Sequence, residues 1–420
     1  MNRLVLIGNG FDLAHGLKTR YEDFINWYWE NWGVRLLHGM NRTETDSLCT
    51  FKINDGIEVS NWAYAFGWYY QRKNPLIPWD PNMVIQLAKE DTKVSNFSMS
   101  PLLERITKSI ETKRWVDIEN EYYELLKKYA LENTQEAQID ALNTQLLCLQ
   151  EKLVEYLKSI EIPESLIKKE IIRYVYMPFK SSEISIDGQY ALKEHIESWM
   201  EVDDIIWDRK LYQYGYKFYS RGHVADYKER TEKIGFSLED NNIPLELLLP
   251  NNIMLLNFNY THTADLYCKE ATIFTVNQIH GDLDNPKSVI FGYGDELDDD
   301  YKTIVNKNEN KFLGNIKSIK YLESDNYRKL LSFIESEPYQ ILIMGHSCGN
   351  SDRTLLNTLF EHKNCVSIKP YYYKWGEGEK DDNYIELVQN ISRNFTDMKL
   401  MRDRVVNKTY CEPLTYRNNN

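Results

Sequence analysis

The first apolar run of the chain is Leu4-Val5-Leu6-Ile7, which contains no polar residue and ends at Gly8. A run of strand length without alternation between apolar and polar positions is typical of a strand buried on both faces of a parallel sheet. The glycine-rich turn Gly8-Asn9-Gly10-Phe11-Asp12 follows, and a helix is predicted from about Tyr21. Strand, glycine turn and helix in this order open a nucleotide-binding α/β unit.

The same pattern returns only after about residue 250. The later segments are apolar, have the length of a strand and end in glycine or a small polar residue; they are 253–260, 275–281, 288–294, 340–347 and 366–373. Helices are predicted at 352–362 and 382–395. We therefore predict an α/β fold with a Rossmann-like parallel sheet, whose strands bind ligands at their carboxyl ends.

The segment between these two regions has the apolar spacing of helices. In 115–129 and again in 139–157, apolar residues recur every three or four positions with charged residues between them. The longer of these helices is expected to pack in a bundle, and a coiled-coil seam between two chains is the alternative. We predict a core formed by residues 1–30 plus 251–420 and a mostly helical insertion at 31–250. The polar segment 296–314 is predicted to be a loop and a candidate lid.

Charge and hydropathy narrow the class of protein. The 420 residues include 63 acidic and 50 basic residues, which gives a formal net charge of −13. This balance argues against non-specific nucleic-acid binding as the main activity, because proteins that neutralise phosphates carry a basic excess. The apolar run near the N-terminus is too short for a signal peptide or a membrane span, so we expect a cytoplasmic protein without membrane attachment.

The residue types that bind metals do not cluster in the sequence. The six cysteines occur singly, and no two have the C-x-x-C spacing of a structural zinc site. The tightest acidic cluster is Asp298-Asp299-Asp300, which is expected to be part of a solvated loop. We therefore expect no metal.

The first candidate binding residues lie in the glycine-rich turn. Gly8 and Gly10 would let backbone N–H groups approach a phosphate, although tight strand-to-helix turns also need glycine for steric reasons. Asp12 would repel a pyrophosphate, so it is expected to cap the helix or to bond a ribose hydroxyl.

A histidine stands at the end of another predicted strand. His280 can act as a general base near neutral pH, and Gly281 after it allows a ligand to approach closely. The alternative is a structural histidine at a strand end. Polar residues that end three other predicted strands, including Asn257 and Asn259, favour a shared site at this edge of the sheet.

Gly345-His346-Ser347-Cys348-Gly349 has the form of the nucleophile elbow of α/β-hydrolases. That mechanism needs a histidine later in the chain, and His362 lies within the helix that directly follows the motif. The hydrolase interpretation therefore lacks its general base. Ser347 is expected to contact a ligand through its hydroxyl group, and Asp352 is expected to cap the helix or contact a ribose.

Taken together, these motifs resemble the AbiH family of bacterial phage abortive-infection proteins. The resemblance rests first on residues 4–24, which contain Gly8-Asn9-Gly10-Phe11-Asp12-Leu13-Ala14-His15-Gly16. The later motifs follow in the order of the family: Trp115-x-Asp117-Ile118-Glu119, Asn257-Phe258-Asn259-Tyr260-Thr261, Ile279-His280-Gly281-Asp282 and Gly345-His346-Ser347 to Asp352. The resemblance covers almost the whole chain and implies a role in phage defence.

The same motifs are similar, more distantly, to the sirtuin-like fold, in which they surround NAD. The implied NAD-binding residues are Gly8, Asn9, Gly10, Phe11, Asp12, Gly281, Gly345, Ser347 and Asp352. His280 and Asn259 would be catalytic, with His280 as general base and Asn259 positioning the nicotinamide ribose and a water molecule. The paired C-x-x-C zinc ribbon of sirtuin deacetylases is absent from the sequence. The implied relatives are therefore the NAD-cleaving defence proteins of that fold, which lack zinc.

The resulting hypothesis is a phage-defence effector that binds a nucleotide, in the first place NAD, and hydrolyses its N-glycosidic bond. Two alternatives stay open: a non-catalytic module that senses a nucleotide within a defence system, and a metal-dependent nuclease. The sequence does not identify the phage trigger and leaves open whether the protein forms homo-oligomers.

Overall fold

The structure is a computed structural model of the chain. It describes residues 1–58, 61–62, 64–66, 80–113, 117–132, 136–215, 221–240, 242–376, 378 and 381–416. The strands found among these residues are β1 (Asn2–Ile7), β2 (Thr43–Thr45), β3 (Cys49–Ile53), β4 (Ser95–Met99), β5 (Ile253–Asn257), β6 (Phe274–Gln278), β7 (Tyr339–Met344), β8 (Cys365–Lys374) and β9 (Pro413–Tyr416).

The described α-helices lie before, between and after these strands. The helices before β5 are α1 (Asn9–Ala14), α2 (Tyr21–His38), α3 (Pro81–Glu90), α4 (Pro101–Lys113), α5 (Ile118–Leu131), α6 (Glu136–Lys158), α7 (Lys169–Tyr176), α8 (Gln189–Met200), α9 (Asp204–Gln213) and α10 (Arg221–Ile234). The later helices are α11 (Asp299–Asn306), α12 (Lys317–Lys320), α13 (Asn326–Ser336), α14 (Arg353–Phe360), α15 (Tyr384–Arg393) and α16 (Met398–Arg404). No described helix is both long enough and apolar enough to cross a lipid bilayer.

Six strands form one parallel sheet in the order β6-β5-β1-β7-β8-β9. Numbered along the chain within this sheet, the order is 3-2-1-4-5-6, which is that of doubly wound dinucleotide-binding folds. In such sheets the strand order reverses beside the first strand, and ligands bind at the carboxyl ends there. The predicted parallel sheet is therefore confirmed, and the candidate edge lies at the ends of β1, β5, β6 and β7.

The two faces of β1 explain why its sequence does not alternate. Leu4 and Leu6 point into one buried apolar cluster, which includes residues of α13, α14 and α15. Val5 and Ile7 point into another cluster, which includes residues of α7, α8, α9 and α10. Because helices cover both faces of residues 4–7, a polar side chain there would be buried and would need a partner inside the core.

The contacts divide the chain into two compact units. The first comprises Met1–Leu17, Glu161–Ile290 and Lys320–Asn420, and it contains the parallel sheet. The second comprises Lys18–Ile160 and Phe291–Ile319. These boundaries differ from the predicted ones, because residues 161–250 belong to the unit that contains the sheet and residues 291–319 do not.

Three further expectations from the sequence differ from the structure. The mostly helical segment 31–250 also contains an antiparallel sheet of β2, β3 and β4, whose strands of three to five residues are short and partly polar. Residues 288–294 form no regular strand, and Tyr293 makes a single bridge to Ile316. The segment 296–314 is not simply a loop, because it contains helix α11 with Asp298 at its N-cap.

The two predicted helices of the 31–250 segment are found in the second unit. The longer extends from Glu136 to Lys158 and buries Leu142, Leu146, Leu149 and Leu153. The shorter begins at Ile118, where Asp117 caps it by accepting a hydrogen bond from the Asn120 N–H group. Trp115, with which that helix was predicted to begin, lies outside the described residues.

Candidate functional site

The glycines of the first turn allow two loops to touch. A Cβ atom added to Gly8 would lie 2.5 Å from the Cα atom of His346, and one added to Gly10 would lie 2.8 Å from the Cα atom of Gly345. Gly345 itself has a φ angle of +77°, and a Cβ atom there would lie 2.0 Å from the Phe11 nitrogen. Because real Cβ atoms do not approach backbone so closely, these glycines are required by the packing of the β1–α1 turn against the loop after β7.

The backbone N–H groups that a bound phosphate would need already donate hydrogen bonds within the β1–α1 turn and to the loop after β7. The N–H group of Gly10 donates to the Gly345 oxygen over 2.8 Å, and that of Phe11 donates to the Gly8 oxygen over 2.8 Å. Helix α1 also starts directly at Asn9, so the predicted glycine turn is part of a short helix. A pyrophosphate cradle on Gly10 and Phe11 therefore does not fit this arrangement.

Phe11 lies in the apolar core of the first unit. Its side chain is fully buried, and its ring packs edge-on against Tyr267 at 5.4 Å and close to His15 at 4.7 Å. The nitrogen atoms of His15 contact the Phe11 oxygen and the Tyr267 hydroxyl, both at 2.6 Å. These contacts account for Phe11 as a packing residue and leave no face of its ring for a ligand.

Asp12 is a buried carboxylate beside the end of β5. The residue is 1% exposed, and its Oδ2 atom accepts a hydrogen bond of 2.6 Å from the Thr261 hydroxyl. Its Oδ1 atom is also buried, and no described residue donates a hydrogen bond to it. Burial raises the pKa of Asp12 from 3.8 to about 6, and the side chains of Thr261, Thr263 and Asn259 partly oppose this shift.

The two asparagines after β5 shape the loop in which Thr261 lies. Asn257 is fully buried, donates to the Thr261 oxygen over 2.9 Å and accepts from the Asn259 N–H group over 3.1 Å. The Asn259 side chain donates to the Gly8 oxygen over 3.1 Å. The sequence prediction that the ends of β1 and β5 meet is therefore confirmed for Gly8 and Asn259.

His280 lies at the end of β6, where its side chain is 5% exposed. Its Nε2 atom is 3.3 Å from Asp352 Oδ1 and 3.1 Å from the Tyr321 hydroxyl, whose ring stacks on the imidazole. This histidine therefore does not project into an open cleft. Gly281 after it has a φ angle of +77°, and an added Cβ atom would lie 2.1 Å from the Ser288 oxygen. Glycine is thus explained there by close backbone packing.

Asp352 connects His280 to a second histidine. Its other oxygen, Oδ2, is 3.5 Å from the Nε2 atom of His346, whose side chain is also 5% exposed. The Phe258 ring packs against both histidines, with ring centres 5.3 and 4.2 Å away. We call His280, Asp352 and His346 the His–Asp–His row. Because the row is shielded from water, electrostatic interactions between its members are screened less than at the protein surface.

The loop after β7 fixes the orientation of His346. The Cys348 N–H group donates to the Nδ1 atom of His346 over 3.0 Å, so the neutral imidazole carries its proton on Nε2, facing Asp352. Cys348 has a φ angle of +54°, which is uncommon for a residue with a side chain. The Asn394 side chain holds this turn by donating to the Cys348 oxygen over 2.9 Å. Strained backbone of this kind is often found at functional sites.

The structure bears differently on the two predicted roles in this loop. Ser347 is exposed, and its contact with a ligand stays a prediction; the residue that turns inward towards Asp352 is His346. Asp352 stands at the N-cap of helix α14 but makes no side-chain capping hydrogen bond, because its carboxylate faces the two histidines. The positive end of the helix dipole nevertheless favours a carboxylate at this position. Asn9 is likewise exposed.

The structure thus places His280 and Asp352 in contact at the end of β6, and it places Asn259 and Asp12 beside the end of β5 at the same edge of the sheet. Sequence reasoning missed His346 and Tyr321. His346 follows shortly after the most apolar strand, and this position could have marked it as a site residue. Tyr321 is 41 residues from His280, and nothing in the sequence indicates that the two are in contact. A carboxylate between two buried imidazoles can hold a histidine in the orientation that general acid–base catalysis requires.

The acidic residues noted in the second unit have structural partners. Asp298 caps helix α11, and its carboxylate and that of Asp300 lie 3.7 and 3.5 Å from the Lys127 ammonium group. Glu119 pairs with Lys317 over 2.9 Å and accepts from the Gly292 N–H group. These contacts give Asp298, Asp300 and Glu119 partners within the second unit.

The sequence of the chain matches one known protein family. The family model described as "Bacteriophage abortive infection AbiH" matches residues 4–373, which include every residue of the His–Asp–His row. The chain belongs to the AbiH family. No curated protein matches the chain, and no solved structure does. The predicted AbiH resemblance is therefore confirmed, whereas the similarity to the sirtuin-like fold stays a prediction.

Proposed function

We propose that this AbiH-family protein is a phage-defence effector whose strand-end site hydrolyses the N-glycosidic bond of a nucleotide, with NAD as the first substrate to test. The AbiH match over residues 4–373 supports the defence role. The observation that carries the catalytic part is the His–Asp–His row, which places a buried carboxylate against His280 at the binding edge of a doubly wound sheet.

In this reaction, His280 takes a proton from a water molecule, and the water oxygen forms a bond to C1′ of the ribose. The bond between C1′ and the base nitrogen breaks, and its electron pair leaves with the base. Asp352 positions His280 and stabilises the imidazolium that forms, as a carboxylate beside a catalytic histidine does. Asn259 orients the ribose and the water molecule.

The transition state carries developing positive charge on the ribose, and a nearby carboxylate lowers its free energy. Asp12 lies beside the loop of Asn259 and is suited to this role in its ionised form. The proposal places no phosphate on Gly8 or Gly10, because the Gly10 N–H group already donates to Gly345. Recognition of the nucleotide then rests on its ribose and base.

A second candidate is a non-catalytic nucleotide-sensing module. The observation that favours it is the burial of the two histidines, whose side chains are each 5% exposed. In that case the row would be a structural element that links the loops after β6 and β7. The toxic activity would then belong to a partner protein.

The two candidates differ in what the purified protein does to NAD. We expect nicotinamide release on incubation with NAD, alone or with lysate of phage-infected cells, as measured by liquid chromatography. His280→Gln should lower the rate about 10²–10⁴-fold, as is usual for loss of a general base. Glutamine is preferred to alanine because His280 is buried against Tyr321. The matched control is His362→Gln, a histidine that contacts Glu335 away from the row.

The outcomes separate the hypotheses. Equal nicotinamide release by the wild type and the His280→Gln variant would place the site elsewhere. No release under either condition, with phage protection lost in the variant, would favour the sensing module. If no nicotinamide is released and the His280→Gln variant still protects fully against phage, His280 is neither the general base nor a residue that the sensing module requires.

A further inference from the structure

A cluster of one histidine and two aspartates lies outside the His–Asp–His row. It consists of His262, on the loop after β5, and of Asp282 and Asp284, on the loop after β6. One ligand atom from each of the three lies within 4.8 Å of the other two. We propose that His262, Asp282 and Asp284 bind a divalent transition-metal ion, with Mn²⁺ as the probe that fits their chemistry.

The orientation of His262 is the main observation. Its Nδ1 atom is 2.8 Å from Asp265 Oδ2, which fixes a proton on Nδ1 in the neutral ring. The Nε2 atom, which carries no proton in that form, lies 3.4 Å from Asp284 Oδ2. Two acceptors this close to each other repel, and a cation between them removes the repulsion. A proton on Nε2 or a metal ion supplies that cation.

The Nε2 atom is itself buried and has no hydrogen-bond partner among the described residues. An imidazole whose other nitrogen is bonded to a carboxylate is the usual arrangement of metal-binding histidines, because the carboxylate fixes the ring and raises its basicity. Asp265 takes this outer position here. The geometry therefore prepares Nε2 as a ligand.

The two aspartates complete a set of one nitrogen and two carboxylates. Asp282 is held in place because its Oδ1 accepts from the N–H groups of Asp284 and Asn285 over 2.9 and 3.0 Å. The Asp284 side chain is 88% exposed and is free to rotate towards the ion. Ligands about 2.1 Å from a metal lie about 3–4 Å apart, so small side-chain rotations bring the set to that spacing.

The ligand types select the class of ion. Imidazole disfavours Mg²⁺ and Ca²⁺, whereas carboxylates and water favour Mn²⁺ over soft ions. Three protein ligands leave positions for water, and the exposure of Asp284 places those positions at the surface. This site is independent of the proposed hydrolysis of NAD, and the sequence alone did not predict it because His262 and Asp282 are 20 positions apart.

Binding of Mn²⁺ tests the proposal without any assay of activity. We expect the metal-free protein to bind one Mn²⁺, measured by the loss of the free-ion electron paramagnetic resonance signal. His262→Ala should abolish this binding, and Asp265→Ala should weaken it about 10–100-fold, as substitutions beyond the ligands themselves do. The matched control is His362→Ala, another histidine beside a carboxylate, which should bind like the wild type.

A second variant guards against misfolding. Asp284→Asn changes an exposed side chain and should fold normally while binding Mn²⁺ more weakly than the wild type. Equal Mn²⁺ binding by the wild type, His262→Ala and Asp284→Asn would overturn the proposal. The absence of Mn²⁺ binding to the wild type would also overturn the proposal. In that case a proton on Nε2 of His262, between the imidazole and the Asp284 carboxylate, accounts for their short distance. Neither result depends on whether the protein cleaves NAD.

Discussion

The hydroxyl of Thr261 donates a hydrogen bond of 2.6 Å to the buried carboxylate of Asp12, although the two residues are 249 positions apart in the chain. A hydroxyl is a modest partner for a fully buried carboxylate. Burial consequently remains the dominant effect on this group and raises its pKa to about 6. A destabilised charge of this kind is common at functional sites.

This relationship predicts how stability depends on pH. Well below pH 3.8 Asp12 is protonated in both the folded and the unfolded chain. As the pH rises towards 6, the unfolded chain loses this proton first, so the free energy of unfolding falls, and it becomes level above about pH 6. A pKa raised from 3.8 to about 6 corresponds to roughly 3 kcal/mol.

Asp12→Asn should remove this dependence, because asparagine does not ionise and can still accept from Thr261. We expect the variant to be about 1–3 kcal/mol more stable than the wild type at pH 7, yet to lose phage protection. The checks are urea unfolding from pH 4 to 8 and efficiency of plating. An unchanged stability difference across this pH range would show that Asp12 does not titrate as inferred.

Much of the parallel sheet could be predicted from the sequence, because its strands are buried on both faces. The run from Leu4 to Ile7 contains no polar residue, and helices cover both of its faces in the structure. The small antiparallel sheet gave no such signal. Its strand β2 reads Thr-Glu-Thr, and only the middle residue of the three is buried.

The candidate site was predictable in its location but not in its chemistry. Polar residues at the ends of apolar strands indicated that Gly8, Asn259 and His280 share one edge of the sheet. The sequence could not tell which side chain of Gly345-His346-Ser347 turns inward, because that depends on the left-handed backbone at Cys348. It also could not reveal that the glycines are required by loop packing, since a glycine that contacts backbone and one that contacts a ligand look alike.

Asp352→Asn should separate a functional from a structural role of the His–Asp–His row. The amide keeps the shape of the carboxylate and can still bond to both imidazoles, so we expect only a small change in the thermal unfolding midpoint. Without the charge, His280 loses the group that stabilises its protonated form, and we expect phage protection to fall at least about 100-fold.

Efficiency of plating and thermal unfolding check this prediction side by side. The control is Asp325→Asn, which removes a carboxylate from an exposed pair with Lys329 in the same unit. A large drop in the midpoint for Asp352→Asn, in proportion to the loss of protection, would indicate that the row mainly holds the fold.

Gly345→Ala tests whether this glycine is required by backbone packing. The residue needs a positive φ angle, and the added methyl group would meet the Phe11 nitrogen at 2.0 Å. We expect a loss of more than about 2 kcal/mol in the free energy of unfolding, because both the strain and the clash must be relieved.

Gly235→Ala is the matched control, since Gly235 has a φ angle of +82° and no atom within 4 Å of an added Cβ. It should cost only about 1–2 kcal/mol, which is the expected cost of a side chain in the left-handed region. If urea unfolding gives the same loss for both variants, the contact between the two loops contributes nothing beyond the strain.

The buried pair of Glu119 and Lys317 should anchor the second unit. The Lys317 side chain is 1% exposed, its ammonium group lies 2.9 Å from Glu119 Oε2, and the other oxygen of Glu119 accepts from the Gly292 N–H group. Lys317→Met leaves the carboxylate buried without its cation, so we expect a loss of about 3–5 kcal/mol in the free energy of unfolding. Adding Glu119→Gln removes the uncompensated charge and should recover part of this loss. A double variant that is less stable than Lys317→Met alone would contradict the inference that the unpaired charge is what destabilises the unit.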